Sequence, residues 1–154
     1  MLLIAVLLAA ILLLEAVVKT VVLRKCAEKP KKLLGDRVEI APCKNTGLSL
    51  SMLKKYPTLV KVLHAIGVIG GSVILFRPVM RGNMGMKIGA GLLLGGGLSN
   101  LLDRLIRGHV TDYIRFCKAK IKKLRRIVFN LADVFIAIGA VLLVLFAWKN
   151  LLRR

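Results

Sequence analysis

Four long apolar segments, separated by polar and mostly basic stretches, dominate the chain. They cover residues 1–23, 58–76, 86–106 and 128–148. An α-helix rises about 1.5 Å per residue, so each segment is long enough to cross a hydrocarbon core of about 30 Å. The pattern predicts an all-α membrane protein in which residues 1–154 form a single domain of four transmembrane helices. We interpret the first segment as a span rather than a cleaved signal peptide, because no basic residue precedes it.

The connections between the segments differ in length and composition. Residues 24–56 alternate apolar and polar positions in places, as in Arg37-Val38-Glu39-Ile40, and are interrupted by proline and glycine. This pattern predicts a small β-sheet that lies on the membrane as a cradle. Residues 77–85 are rich in proline and glycine and predict a turn, whereas residues 107–127 form a strongly basic loop.

Composition supports a membrane protein and excludes several other classes. Of 154 residues 57% are hydrophobic, and the formal charge is +19. A chain this apolar is neither disordered nor an ordinary soluble domain. The basic charges flank spans without aromatic platforms, which excludes a nucleic-acid reader. Three cysteines and two histidines are too scattered for a metal site. We expect free thiols, with a Cys26–Cys43 disulfide as the alternative if their loop faces an oxidising compartment.

The conspicuous polar residues gather on one side of the predicted membrane. With four spans, the end of the first helix, the start of the second, the end of the third and the start of the fourth share that side. The residues concerned are Glu15, Lys19, Asn45, Thr46, Asn100, Asp103, Arg104, Asp112, Asn130 and Asp133. An ionisable group at membrane depth costs several kcal/mol, so it usually has a partner or a function. We therefore expect the functional site on this side.

Local spacing brings two carboxylates toward each other. Asn130 and Asp133 are three residues apart and share one face of the fourth helix. Gly108 is expected to end the third helix and to let Asp112 fold back toward the bundle. Asp112 and Asp133 can then meet at one interface, with amides and an arginine beside them.

Two neighbouring carboxylates suit acid–base hydrolysis. Because like charges a few ångströms apart do not both ionise easily, the pair holds one proton near neutral pH. The ionised member can deprotonate a water that attacks a peptide carbonyl, while the protonated member donates to the carbonyl oxygen. Asp112 and Asp133 are the candidates. For Glu15 and Asp103, ion pairing that only holds the bundle together is an equal alternative, with Lys19 as the partner of Glu15.

At these residues the sequence resembles the lipoprotein signal peptidases, also called signal peptidase II, a family of bacterial membrane aspartyl proteases. The resemblance rests on Asn45-Thr46-Gly47, on GGGLSNLLDRLIRGHVTDYI at residues 95–114 and on FNLADVFI at residues 129–136. The first stretch alone is weak, whereas the ordered set is highly specific.

The resemblance implies that Asp112 and Asp133 are the catalytic residues. It implies supporting or substrate-lining roles for Asn45, Asn100, Asp103, Arg104 and Asn130, with Glu15 and Lys19 at the family's polar positions on helix one. The implied reaction is cleavage of diacylglyceryl-modified prolipoproteins just before the lipidated cysteine, without metal or cofactor. The family also implies inhibition by the cyclic peptide globomycin.

Three stretches depart from the family pattern. Glu15 and Val18-Lys19 stand where the family usually has an Asp and a Thr-Lys pair. Leu48-Ser49-Leu50 follows the Asn-Thr-Gly motif in place of Ala-Ala-Phe, and the basic run 118–126 precedes the last motif where Trp or Pro is common. No departure removes a catalytic group.

The distribution of basic residues and the family resemblance predict opposite orientations of the protein in the membrane. Residues 24–56 and 107–127 carry 17 Lys and Arg, against 5 in residues 77–85 and 149–154 on the other side. The positive-inside rule would place the polar side in the cytosol. We follow the family, which places the site on the extracytoplasmic face of the bacterial cytoplasmic membrane, and we expect the basic loops to bind anionic membrane lipids.

Two rival functions remain. A proton-coupled carrier would place its carboxylates near the midplane and show internal symmetry, and the sequence has neither feature. A catalytically silent paralogue that binds lipoproteins without cutting them is the other alternative, and the Leu48-Ser49-Leu50 departure keeps it open.

Overall fold

A computed structural model describes residues 2–47, 52–118, 125 and 127–152. Within these residues the chain forms four α-helices and one four-stranded antiparallel sheet. The helices are α1 (Leu2–Lys25), α2 (Pro57–Arg81), α3 (Met84–Arg107) and α4 (Leu131–Leu151). The strands are β1 (Lys31–Leu33), β2 (Val38–Asn45), β3 (Val110–Phe116) and β4 (Val128–Phe129). The Leu48-Ser49-Leu50 departure and most of the basic run 118–126 lie outside the described residues.

Three of the described helices, α1, α2 and α4, are long and apolar enough to cross a membrane. Most of their surface faces outward, as expected of helices solvated by lipid. The third helix, α3, has glycines and polar residues in place of the aliphatic surface that lipid requires. It is the central helix, with twelve buried residues, and packs against the other three. The prediction of a helical membrane protein is confirmed, with three spans that qualify by length and composition.

Glycine lets α3 and α4 approach closely. A Cβ atom at Gly96 would lie 2.5 Å from the carbonyl oxygen of Ala132, and one at Gly139 would lie 2.6 Å from that of Gly89. Real Cβ atoms do not come so near to backbone oxygen, so neither position accepts a side chain at this helix separation. The close contact brings the polar end of α3 to the first turn of α4.

The sheet caps this polar end of the bundle. Its strands follow the order β1-β2-β3-β4, with Cys43 of β2 opposite Asp112 of β3 and Ile114 of β3 opposite Phe129 of β4. The prediction of a small sheet from residues 24–56 is confirmed in part, because this segment supplies β1 and β2 but not the other two strands. The segment expected to be a basic loop supplies β3, which lies inside the sheet because it pairs with β2 on one side and β4 on the other.

Two helix boundaries also differ from the predicted ones. The fourth helix begins at Leu131 instead of residue 128, because Val128 and Phe129 are paired with β3. The second helix continues through Pro78 to Arg81, so the predicted turn at 77–85 shrinks to Gly82 and Asn83. Proline removes one helical hydrogen bond, but it does not end the helix here.

Candidate active site

Asp112 and Asp133 are joined through one residue, Asn130. The side-chain amide of Asn130 donates to Asp112 Oδ1 over 2.8 Å, and its backbone N–H donates to Asp133 Oδ2 over 3.1 Å. Asn100 on α3 donates to the other oxygen of Asp133 over 2.8 Å. Its own oxygen accepts a hydrogen bond from the Asn130 amide over 3.0 Å. The strand and the two helices thus place both carboxylates in one hydrogen-bonded network.

The start of α4 explains why Asp133 is held so firmly. Asn130 is the N-cap, and its side chain accepts from the backbone N–H of Asp133 over 3.0 Å. Because Asp133 bonds back to the backbone of Asn130, the two residues form a capping box, which satisfies two otherwise unpaired N–H groups. The predicted common face of Asn130 and Asp133 is thus a helix cap, and it leaves the amide of Asn130 free to reach Asp112.

Asn45 completes the network from the sheet. It lies at the end of β2, and its amide donates to Asp112 Oδ2 over 2.9 Å. Its own oxygen accepts the backbone N–H of Gly47 over 3.0 Å, which fixes the turn after the strand. We call these five residues the amide cluster: Asn45, Asn100, Asp112, Asn130 and Asp133.

Burial makes Asp112 an unusual carboxyl group. Loss of hydration raises the pKa of Asp112 to about 6, and the nearby charge of Asp133 acts in the same direction. The hydrogen bonds from Asn45 and Asn130, and the positive charge of Arg104, oppose this shift only in part. Asp112 therefore gains or loses its proton near neutral pH, where a free aspartate is fully ionised.

A second cluster of charged residues lies beside the first. Lys19 Nζ is 2.8 Å from Glu15 Oε2 and 3.0 Å from Asp103 Oδ2, and Arg107 is 3.3 Å from Asp103 Oδ1. Asp103 also accepts the backbone N–H of Thr111 over 3.1 Å. We call Glu15, Lys19, Asp103 and Arg107 the ion cluster. It ties α1 to α3 and to the start of β3.

Arg104 lies between the two clusters and is buried. Its guanidinium donates to the carbonyl oxygen of Gly47 and, over 3.5 Å, to that of Asn100. It thus braces the turn after β2 against α3. The structure separates the nine predicted site residues: five form the amide cluster, Arg104 adjoins it, and Glu15, Lys19 and Asp103 belong to the ion cluster.

A cavity of about 700 Å³ opens beside the amide cluster. Asp112, Asp133 and Arg104 line its polar part, together with Asn45 and Asn100. Most of the rest is lined by apolar residues and glycines, including Gly67, Gly71, Leu93 and Ile136. The cavity can hold an apolar chain while a polar bond of that chain lies against the two carboxylates.

Sequence reasoning assigned no functional role to two polar residues of this region, of which His64 was expected only to be packed and hydrogen-bonded. Tyr113 is 3% exposed and follows Asp112 on β3. Its hydroxyl bonds to both Glu15 and Leu131. His64 on α2 lines the cavity, and its Nε2 is 3.1 Å from the carbonyl oxygen of Gly97. No local pattern marks the role of either residue, since each finds its partners on distant segments.

These features define a helical membrane protein with two amide-bridged carboxylates at the polar end of an apolar cavity. A sequence profile described as "Signal peptidase (SPase) II" matches residues 7–149. The chain therefore belongs to the signal peptidase II family, a family of proteases, as the sequence motifs predicted.

Individual relatives agree with the profile. The lipoprotein signal peptidase of Halothermothrix orenii is 31% identical over 145 residues, which cover 91% of each chain. That of Mesorhizobium japonicum is 36% identical over 109 residues, 69% of this chain and 63% of the relative. That of Neisseria meningitidis serogroup C is 35% identical over 112 residues, 71% of this chain and 65% of the relative. The matched part thus spans less than two thirds of the last two proteins.

Solved structures show the same fold. A bacterial membrane enzyme determined by the in meso method at 2.3 Å resolution superposes with a TM-score of 0.77 at 20% identity, over 96% of this chain and 88% of the other. A second such enzyme, at 1.9 Å resolution, gives 0.74 at 20% identity, over 92% and 90% of the two chains.

Proposed function

We propose that this protein is a membrane aspartyl endopeptidase that cleaves the signal peptide of diacylglyceryl-modified bacterial prolipoproteins just before the lipidated cysteine. The observation that carries the proposal is the bridge through Asn130, which holds Asp112 and Asp133 in one network beside an apolar cavity. Family membership supports the same substrate class.

The two carboxylates differ in a way that suits them to opposite roles. Asp112 is buried on a strand, and its raised pKa favours the protonated form. Asp133 lies in the first turn of α4, where the amide of Asn100 and the backbone N–H of Asn130 donate to its two oxygens and leave it beside the cavity. We therefore assign Asp112 as the acid and Asp133 as the base.

The reaction then follows with balanced proton transfers. Asp133 takes a proton from a water whose oxygen attacks the scissile carbonyl carbon, while Asp112 gives its proton to the carbonyl oxygen. The resulting gem-diol collapses as the carbon–nitrogen bond breaks and the amine nitrogen accepts the proton held by Asp133. One gem-diol hydroxyl returns its proton to Asp112, so the pair again holds one proton.

The remaining residues serve binding and orientation in this proposal. Asn45, Asn100 and Asn130 hold the carboxylates, and Arg104 braces the wall of the cavity. The apolar part of the cavity takes hydrophobic portions of the substrate. The placement of both carboxylates in one amide network, with Asp112 buried and Asp133 half-buried, favours hydrolysis over the silent-paralogue alternative, since a protein that only binds lipoproteins has no need of a costly carboxylate pair.

The membrane placement is part of the proposal. The helix α3 has 24 residues, about 36 Å of helix, and serves as the fourth span, shielded from lipid by its neighbours. The sheet and the carboxylates then face the extracytoplasmic side of the bacterial cytoplasmic membrane. Basic residues of the connecting segments contact anionic lipid headgroups there.

Cleavage of a defined precursor tests the function. The purified protein, in detergent or lipid, is incubated with a diacylglyceryl-modified prolipoprotein and with the same precursor lacking the lipid. We expect a product that begins at the lipidated cysteine, from the modified precursor only, and no product in the presence of globomycin.

A matched set of variants ties that activity to the dyad. The double variant Asp112→Asn/Asp133→Asn should give no product, while Asp36→Asn, the same chemical change at an exposed turn, should cleave at the wild-type rate. A wild-type protein that binds the precursor without cutting it would establish the silent paralogue instead.

A further inference from the structure

We propose that Tyr113 is a positioning residue for the carboxylate pair: its buried hydroxyl ties Glu15 on α1 to the first backbone N–H of α4 and so holds Asp133 against Asp112. This inference rests on the proposed function. It adds a residue, and a role for the helix-one acid, that neither the sequence motifs nor the family comparison assign.

Two consecutive residues of β3 hold two consecutive residues at the start of α4. Asp112 accepts the side-chain amide of Asn130 over 2.8 Å, and the hydroxyl of Tyr113 accepts the backbone N–H of Leu131 over 3.1 Å. The first N–H groups of a helix have no partner within the helix. Tyr113 supplies that partner from outside, so the cap of α4 is fixed to the strand at two points.

Glu15 orients the Tyr113 hydroxyl that accepts the Leu131 N–H. Tyr113 donates its proton to Glu15 Oε1 over 3.2 Å, and Lys19 Nζ lies 2.8 Å from the other oxygen of Glu15. A hydroxyl that donates to a carboxylate is a better acceptor for its next partner. Burial raises the pKa of the Tyr113 phenol above its ordinary value. The hydroxyl therefore keeps its proton and remains a donor throughout the pH range in which the protein functions.

This connection passes from the ion cluster to the amide cluster. The capping box fixes Asp133 relative to Asn130, and Asn130 contacts Asp112 through one amide. Without the Tyr113 bond, α4 would be held to β3 near the site by that amide and by the short β4 pairing. A small rotation at the start of α4 would then change the separation of the two carboxylates, to which proton sharing is sensitive.

The test compares Tyr113→Phe with Tyr56→Phe, the same change at the other, exposed tyrosine of the chain. The Tyr113 ring packs against Val22 and Cys26, and phenylalanine keeps that packing. In cleavage assays on the diacylglyceryl-modified precursor we expect kcat to fall about tenfold for Tyr113→Phe, with KM unchanged, because the loss concerns the geometry of the pair rather than substrate binding. Tyr56→Phe should match the wild type.

A pH profile separates positioning from a merely structural role. The charged groups that act on Asp112 are Asp133 from α4 and Arg104 from α3, while β2 contributes only the neutral amide of Asn45. If the start of α4 moves away, Asp133 repels the Asp112 charge less and water reaches it more. The midpoint in the kcat/KM profile should therefore move to lower pH in Tyr113→Phe. A general loss of folded protein would scale the profile without moving it.

Hydrogen exchange gives a readout that needs no activity. In Tyr113→Phe the Leu131 amide should exchange about tenfold faster than in the wild type, while amides in the middle of α4 stay protected. If Tyr113→Phe does not fold, Glu15→Gln is tested instead. It replaces the carboxylate that orients the Tyr113 hydroxyl with a neutral acceptor, so Leu131 exchange should still be faster than in the wild type and the pH midpoint lower. Unchanged exchange, kcat and pH midpoint in the folded variant would overturn the proposal. An inactive wild type with slow Leu131 exchange would count against the proposed function alone.

Discussion

The ion cluster and the amide cluster meet at the last turns of α3, which supplies Asp103 to one and Asn100 to the other, yet they hold their carboxylates by different means. Glu15 and Asp103 contact the ammonium group of Lys19, and Asp103 also contacts Arg107. Asp112 and Asp133 contact neutral amides: Asn45, Asn100 and Asn130. A neutral amide stabilises the carboxylate charge less than a cation does, so the burial of Asp112 outweighs its two amide hydrogen bonds and raises its pKa. The difference separates acids that hold helices together from acids available for chemistry.

The strongest test of this comparison exchanges acid for amide in each cluster. For Asp112→Asn and for Asp133→Asn we expect kcat to fall at least about a thousandfold, since each removes one of the two groups that move protons in the proposed mechanism. Each variant should stay folded but lose some stability, because the new NH2 group faces an N–H donor where a carboxylate oxygen accepted one. The measurement is the initial cleavage rate together with thermal unfolding. Residual activity above a few per cent in either variant would refute their catalytic roles.

The converse change removes the cation of the ion cluster. Lys19→Met leaves Glu15 and Asp103 buried without their shared partner, which should cost about 3–5 kcal/mol of stability. Unfolding in detergent, followed by circular dichroism, measures the loss. Lys25→Met, at the exposed end of the same helix, is the matched control and should unfold like the wild type. Equal stabilities for the two variants would mean that the ion cluster does not hold α1 to α3.

A pH series tests whether the buried carboxyl group of Asp112 exchanges its proton near pH 6. The folded-state pKa of Asp112 is about 6, above that of a free aspartate, so folding favours its protonated form. That contribution to stability is complete below pH 4 or so and is lost as pH rises through about 6. From pH 4 to pH 8, Asp112→Asn should therefore gain stability relative to the wild type, by about 3 kcal/mol at most. Asp36→Asn should show no such trend, and a constant difference for Asp112→Asn would contradict the buried, exchangeable proton.

The smallest expected effect concerns the helix contact that brings the clusters together. Gly96→Ala places a methyl group 2.5 Å from the Ala132 carbonyl oxygen and must push α4 away from α3, at a cost of about 1–3 kcal/mol. Cleavage should also slow, since Asp133 begins the displaced helix. Gly70→Ala has open space at its Cβ position and should leave melting temperature and rate unchanged. Identical behaviour of the two variants would show that the close approach is dispensable.

The sequence alone was enough to predict the helices and the side on which the polar residues gather. Apolar runs and their polar ends are local signals, and Asn130 with Asp133 is a local cap. The fourth helix nevertheless starts three residues later than predicted, because Val128 and Phe129 satisfy their backbone groups by pairing with β3. Strand pairing between distant segments leaves no local mark in a basic stretch such as 107–127.

The partners of individual side chains were harder to predict for the same reason. Lys19 suggested a bond to Glu15 one turn away, and that bond exists, but its contact with Asp103 depends on how α1 packs against α3. Tyr113 lies in a motif stretch, but nothing there marks its role, since a hydroxyl beside Asp112 is informative only when Glu15 and Leu131 are known to lie around it. Helix packing and sheet order decide these contacts.

The central claim is that Asp112 and Asp133 act as one proton-sharing pair, and titration of the Asp112 carboxyl tests it most directly. Carbon-13 labelling of aspartate allows its midpoint to be measured by NMR in the wild type and in Asp133→Asn. We expect a midpoint near pH 6 in the wild type and a lower one in the variant, because removal of the neighbouring negative charge makes ionisation of Asp112 easier. A wild-type midpoint near that of a free aspartate, or the same midpoint in both proteins, would contradict the claim.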